Sequence, residues 1–171
     1  MRIHILRHGP ATPREEVGVG QDRDRALTPE GLRKTRQAAR GMRALGIAVE
    51  TVLTSPLVRA RQTADIAALE LGLPPSAVVE TPVLEPGAPP TEVVRELARL
   101  ATAGAGSVLL VGHEPGLSRL AAFLLTGDPS GLRLTLKKAA LCLVECDPAE
   151  LQDGGALGFL LQPAQLRAAA D

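Results

Sequence analysis

The sequence contains no tryptophan and no tyrosine, and Phe123 and Phe159 are its only aromatic residues. Proteins that hold single-stranded nucleic acid stack its bases on aromatic side chains, so that class of function finds no support here. Excess charge of either sign is absent too: 19 basic residues meet 19 acidic ones, and the formal net charge at pH 7 is zero. No global field therefore draws nucleic acid or an anionic membrane, and any anion site must come from a local cluster. No apolar run reaches the length of a membrane span. The chain passes from Met1 straight into a strand pattern, which leaves no room for a signal peptide. Cys142 and Cys146 are the only cysteines. Four apart on a strand-like stretch, they should lie about 13 Å from each other, too far for a disulfide. These traits set the expectation of a cytoplasmic protein with reduced core thiols.

What is present fits one α/β domain spanning residues 1–171, with 45% hydrophobic residues and enough length for a sizeable core. Residues 1–6 alternate as a first strand. The segment from Pro10 to Leu27 is long, charged and irregular, as functional or disordered loops are. Thr28-Pro29-Glu30 then opens a helix, with Thr28 as N-cap, Leu32, Ala39, Met42 and Leu45 as its buried stripe and Gly46 as its end. Residues 49–54 predict the second strand. Ser55-Pro56 opens a second helix with Leu57, Ala60, Ala64, Ala67 and Leu71 on one face. A third strand is expected over 78–84, a helix capped by Thr91 through about Leu100, and a doubly buried strand over 107–112. HEPGLSRLAAFLL turns into another helix, and two β-rich stretches, 139–145 and 157–162, read as a hairpin edge. No repeat, linker or composition break divides the chain.

Alternating strands and helices predict a three-layer α/β/α sandwich around a mostly parallel central sheet. Ligands of such sheets bind outside the carboxyl ends of the strands. Those ends carry Arg7-His8-Gly9, Thr54-Ser55-Pro56 and Gly112-His113-Glu114, with Glu85 after the third strand. Two of the three histidines thus fall where an active site is built. Arg59 and Gln62-Thr63 share one face of the second helix, and Arg59 is close enough to its start to reach the sheet edge. There the free N–H groups of the helix favour an anion. Two arginines and two histidines around one edge suit a tetrahedral dianion, which means phosphate. Alternative phosphate chemistry fails on pattern. The chain has no GxxxxGK[ST], no GxSxG, and no HxH or HExxH spacing for a metal. Neutral imidazole can attack phosphorus itself, without a metal or cofactor.

The RHG of LRHGPA, the ALTPEG helix start, SPLVRARQTA and VGHEPG occur in the order typical of the histidine phosphatase superfamily, which the chain resembles over residues 1 to about 125. The phrasing LTPEG, SPLxRARQT and GHEPGLS is similar to its SixA-type phosphohistidine phosphatase branch. The resemblance implies a phosphoglycerate mutase-like fold and a catalytic set of His8, Arg7, Arg59 and His113. In it His8 is the phosphorylated nucleophile, Arg7 and Arg59 hold phosphoryl oxygens, and His113 stabilises the transferring group. Arg25 matches an arginine that reaches the same phosphate, so Arg7, Arg25, Arg59 and His113 form the substrate-binding set. Gly9 brings the backbone beneath the imidazole and fixes its tautomer. Ser55 is read as a helix cap rather than a phosphate neighbour, and His4 as a structural strand residue. Larger members use a carboxylic acid to protonate the leaving oxygen, and Glu85 stands at about the corresponding place. Lys137 and Lys138 either face the phosphate pocket or are solvated edge charges; the latter is the reading adopted.

The activity implied is that of a metal-independent phosphatase acting on protein phosphohistidine, with a small phosphomonoester as the alternative substrate. A non-catalytic phosphate-binding module is the third reading. The expected partner is a phosphorylated protein or that small phosphomonoester, with neither nucleic acid nor membrane.

Overall fold

The computed structural model describes residues 1–16, 22–152 and 154–170. Part of the long segment between Pro10 and Leu27, residues 17–21, thus lies outside the described residues.

Six strands form one sheet: β1 (Arg2–Arg7), β2 (Thr51–Thr54), β3 (Val78–Glu80), β4 (Ser107–Gly112), β5 (Leu141–Glu145) and β6 (Ala156–Leu161), in the order β3-β2-β4-β1-β5-β6. The first four pair in parallel, with Arg2 to Arg7 of β1 opposite Ser107 to Gly112 of β4. Strands β5 and β6 join antiparallel, so Leu141 at the start of β5 lies beside Leu6 at the carboxyl end of β1. Among the described residues the α-helices are α1 (Pro29–Ala44), α2 (Val58–Glu70), α3 (Pro90–Thr102), α4 (Gly116–Thr126) and α5 (Pro163–Ala168).

Helices cover both faces of the sheet. Val93 and Leu97 of α3 and Leu120 and Leu124 of α4 pack on Ile3, Ile5, Val108 and Leu110. Met42 of α1, Ala60 and Ala64 of α2 and Leu166 of α5 pack on Leu6, Val52, Leu109 and Val111. The chain is therefore a three-layer α/β/α sandwich with a mostly parallel sheet. All six residues of β4 are buried, as a strand with helices on both sides requires. Each large side chain there contributes on the order of 2 kcal/mol by leaving water.

Local chemistry explains most element boundaries. Thr28 caps α1 by accepting the Gly31 N–H at 2.9 Å. The buried stripe of α1 runs through Thr35, Ala38, Ala39 and Met42, whereas Leu45 is half exposed. Small residues are needed on that face because α5, which periodicity did not reveal, presses against it. A Cβ at Gly41 would fall on the carbonyl oxygen of Leu166. Strand β3 stops at Glu80 rather than at residue 84. The Thr81 N–H still reaches the Thr54 carbonyl at 2.9 Å, but Pro82 has no N–H to continue the ladder and Pro82–Leu84 coil into a 3-10 turn. Strand β5 starts at Leu141 rather than at 139, because Ala139 takes a left-handed conformation (φ 63°) in the turn before it. Helix α3 begins at Pro90, one residue ahead of Thr91, and Thr91 makes no cap.

Candidate active site

The carboxyl ends of β1, β4 and β2 lie side by side and deliver His8, His113 and Ser55 to one place. The His8 N–H donates to the Gly112 carbonyl at 3.1 Å, and the Ser55 N–H to the Val111 carbonyl at 3.0 Å. The two imidazoles face each other with ring centroids 5.1 Å apart. Both histidines are buried, each 5% exposed.

The His8 ring is oriented by its neighbour. Nδ1 lies 2.7 Å from the Gly9 carbonyl oxygen, which can only accept, so Nδ1 carries the proton and Nε2 keeps its lone pair. Burial pushes the His8 pKa down to about 3, opposed by the Gly9 carbonyl and assisted by His113, Arg59 and Arg7. Burial likewise lowers His113 to about 4, with Arg59 the next contributor. Both rings are neutral across the physiological range. Gly9 has no room for a side chain, since a Cβ there would collide with Thr35 Oγ1. Its N–H donates to Thr63 Oγ1 at 3.0 Å, and that hydroxyl donates to the Arg59 carbonyl at 2.7 Å. The shared face of α2 thus couples the β1 end to the helix that carries Arg59. Gln62 completes it by accepting the Leu27 N–H at 2.7 Å.

Three arginines surround the histidines. Arg7 donates through Nη1 to the Leu136 carbonyl at 2.8 Å, and its Nε is buried without a partner. Arg59, 4% exposed, donates from Nη1 to the Asp22 carbonyl at 2.6 Å and from Nη2 to the Asp22 carboxylate at 3.0 Å. Arg25 reaches the other oxygen of that carboxylate at 2.7 Å and the Thr12 carbonyl at 2.8 Å. Burial would raise the Asp22 carboxyl, but hydrogen bonds and charge from Arg25 and Arg59 outweigh it and hold it below its ordinary value. One carboxylate against three guanidinium groups leaves a local positive excess in a chain of zero net charge. Such an arrangement has the charge to receive a tetrahedral dianion next to a neutral imidazole. Among the described residues, no three His, Cys, Asp or Glu side chains cluster in a way that could hold a metal ion.

Comparisons with known proteins give the family. The family model of the histidine phosphatase superfamily (branch 1) matches residues 3–81. Phosphohistidine phosphatase SixA of Escherichia coli is 31% identical over 169 residues, 99% of this chain and 98% of that protein. The chain belongs to the histidine phosphatase superfamily. Within it the resemblance is of the SixA type, and the activity is that of a phosphatase. An uncharacterized protein of Picosynechococcus is 37% identical over 89% of each chain. The structure of the protein histidine phosphatase SixA complexed with tungstate superposes with a TM-score of 0.84 at 29% identity, covering 97% of this chain and 99% of that one.

Of the residues singled out from sequence, His8, His113, Arg7, Arg59 and Arg25 come together here. Among the described residues Glu85 makes no hydrogen bond to any of them. It follows the 3-10 turn rather than a strand end, and its carboxylate pairs with Arg23 at 3.0 Å. It shares with His113 the lining of a mostly apolar pocket that opens to solvent. Ser55 is not the cap of α2. The residue before a proline avoids helical geometry, so the helix starts after Leu57. The Ser55 hydroxyl accepts the Leu57 N–H at 3.3 Å and lies 2.8 Å from His113 Nε2, fixing that ring. Lys137 and Lys138 are exposed. Asp22 and the Glu114 strut escaped the sequence reading. Asp22 was one acid in the run DRDR, and Glu114 belonged to a motif in which only the histidine drew attention. The Glu114 carboxylate accepts the Leu136 N–H at 3.2 Å, so it anchors the residue whose carbonyl accepts from Arg7.

Proposed function

We propose that this phosphatase transfers a phosphoryl group through His8, and that its substrate is phosphohistidine carried on a protein. The observation that carries the reading is the Nδ1–H of His8 held by the Gly9 carbonyl, which leaves a neutral, lone-pair-bearing Nε2 opposite His113. In the first step Nε2 forms a bond to phosphorus while the substrate's N–P bond breaks, and the substrate imidazole leaves with its electron pair. Phosphorylation makes the His8 ring cationic, and the Gly9 carbonyl stabilises that charge through the same hydrogen bond. Arg7, Arg25 and Arg59 neutralise the equatorial oxygens, with Arg25 and Arg59 exchanging Asp22 for phosphate. In the second step water attacks phosphorus, the Nε2–P bond breaks, and both water protons leave with phosphate as the dihydrogen anion. The neutral His8 is restored, and no step calls for a metal.

The likeness to SixA along nearly the whole chain supports the phosphohistidine substrate. So does the Glu85 carboxylate, which pairs with Arg23 and hydrogen-bonds to neither imidazole. An imidazole leaving group resembles the imidazole that displaces it and needs little help from an acid. The test is a substrate panel of a phosphohistidine protein, sugar phosphates and nucleotides, together with acid- and alkali-stability of the phosphorylated enzyme. A labelled species that is acid-labile, alkali-stable and absent from His8→Ala is expected. An acid-stable ester, or label persisting in that variant, would overturn the route.

A further inference from the structure

The two flanks of the site differ in charge. The sheet order places the segment before β5 on one side of the His8–His113 pair and the ends of β2 and β3 on the other. On the β2/β3 side, residues 14–16 and 22–25 with Glu85 carry five acids and three arginines. Four of these eight charges pair among themselves, Arg23 with Glu85 and Arg25 with Asp22, and Asp22 also meets Arg59. On the β5 side, residues 115–140 carry Arg119, Arg133, Lys137 and Lys138 against one acid, Asp128.

All four cations are exposed, and among the described residues none has an ion-pair partner. The nearby acids do not offset them. Asp128 turns its carboxylate to the Ser130 N–H at 2.8 Å. Glu114 commits one oxygen to the Ser118 hydroxyl and amide and the other to the Leu136 amide. The basic flank also adjoins the centre directly. The turn holding Lys137 and Lys138 ends at Ala139, whose N–H lies 3.1 Å from the Arg7 carbonyl and 3.2 Å from the His8 carbonyl. Arg119 and Arg133 line one groove between the start of α4 and residues 129–135, the segment that leads into this turn.

We infer that this flank is a docking surface for the acidic face of a phosphoprotein, which it holds while the phosphohistidine enters the site. The inference rests on the phosphohistidine reading above. A free small phosphate meets the three arginines without touching the flank. A protein must lay surface against it, and an unneutralised row of cations selects acidic surface and speeds its approach.

The test uses two phosphohistidine peptides of one sequence frame, flanked by glutamates or by lysines, and free phosphohistidine as the small probe. The wild type should prefer the acidic peptide in kcat/KM on the order of tenfold at low salt, and the preference should shrink as salt rises. A triple variant, Arg133→Glu with Lys137→Glu and Lys138→Glu, should reverse it and leave free phosphohistidine turnover unchanged. Arg43→Glu, an exposed cation in the last turn of α1, should behave as wild type. Equal rates on both peptides, or the same loss on the small probe, would overturn the inference. So would tighter binding of a DNA oligonucleotide than of the acidic peptide. If neither peptide is turned over while a sugar phosphate is, the substrate reading fails. Fluorescence anisotropy with the unphosphorylated acidic peptide then still decides the flank: charge-dependent binding supports it and none refutes it.

Discussion

The Nδ1 atom of His8 stands 2.7 Å from the carbonyl oxygen of Gly9, one residue along its own chain. The contact depends on Gly9 lying flush against Thr35 of α1, where no side chain fits. Tautomer, ring orientation and helix packing are therefore set by one backbone position. Burial keeps the ring neutral, with a pKa of about 3. Long-range ¹H–¹⁵N spectra of the phosphate-free enzyme should accordingly show His8 as a neutral Nδ1–H tautomer at pH 5. A ring titrating near 6.5, or protonated on Nε2, would contradict the proposed nucleophile.

Gly9→Ala tests the same position by sterics. An added methyl group meets Thr35 Oγ1 and must push β1 from α1 or turn the Gly9 carbonyl away. Activity should fall on the order of 10²-fold, with a stability loss of roughly 1–3 kcal/mol from overpacking. Pairing it with Thr35→Gly, which removes the colliding group, should recover much of both. Failure of that rescue would mean that the carbonyl, not the collision, decides the outcome.

Asp22 occupies Arg59 and Arg25 as an internal anion. Phosphate entering the site competes with it for the same N–H donors. Asp22→Asn should therefore tighten inhibition by inorganic phosphate several-fold, read from competition kinetics. Weaker inhibition would show instead that Asp22 is needed to hold the guanidinium groups in place.

Arg59→Lys keeps one positive charge but cannot present two N–H donors in a plane, as Arg59 does to Asp22. Turnover should drop on the order of 10²-fold despite the unchanged charge. A near-wild-type rate would remove Arg59 from the phosphate clamp.

Much of this was legible in the sequence because strong local signals coincide there with the fold. The buried run 107–112, the Thr28 cap and the polar punctuation after β1 and β4 all appear where periodicity and capping chemistry put them. The misses have one common cause, which is that tertiary contacts outvoted a local pattern. Apolar residues at 82–84 continue the strand pattern, yet the 3-10 turn at Pro82 takes Glu85 off the sheet. Leu45 fits the helical stripe but finds no partner layer. Helix α5 is too short for periodicity, and its packing shows only in the need for Gly41. Ser55 has a capping residue's chemistry, but Pro56 displaces the helix and turns its hydroxyl to His113. Asp22 could not be chosen from DRDR, because only the folded chain brings Arg59 to it.

The last prediction concerns His4, the one histidine outside the site. It is fully buried beneath α1, α2 and α5, near Phe159, and neither ring nitrogen makes a well-formed hydrogen bond. Burial lowers its pKa to about 4, offset in part by the nearby backbone of Val108. The unfolded chain takes up this proton near 6.5, and the folded chain does so only near 4. Between those values the unfolded state binds more protons, so stability falls as pH falls and is constant with respect to His4 above about 6.5. The full gap corresponds to about 3 kcal/mol, an upper figure for one buried imidazole. His8 and His113 slope the same way, so His4 must be isolated by substitution. His4→Leu replaces an unpartnered polar ring with an apolar side chain of similar size and should be neutral or stabilising at pH 8. Urea denaturation of both proteins at pH 8 and at pH 4.5 separates the contributions. The advantage of the leucine variant should widen by about 2 kcal/mol at the lower pH, roughly three quarters of the full gap. Parallel losses in the two proteins would mean that His4 is already charged, or hydrated, inside the folded chain.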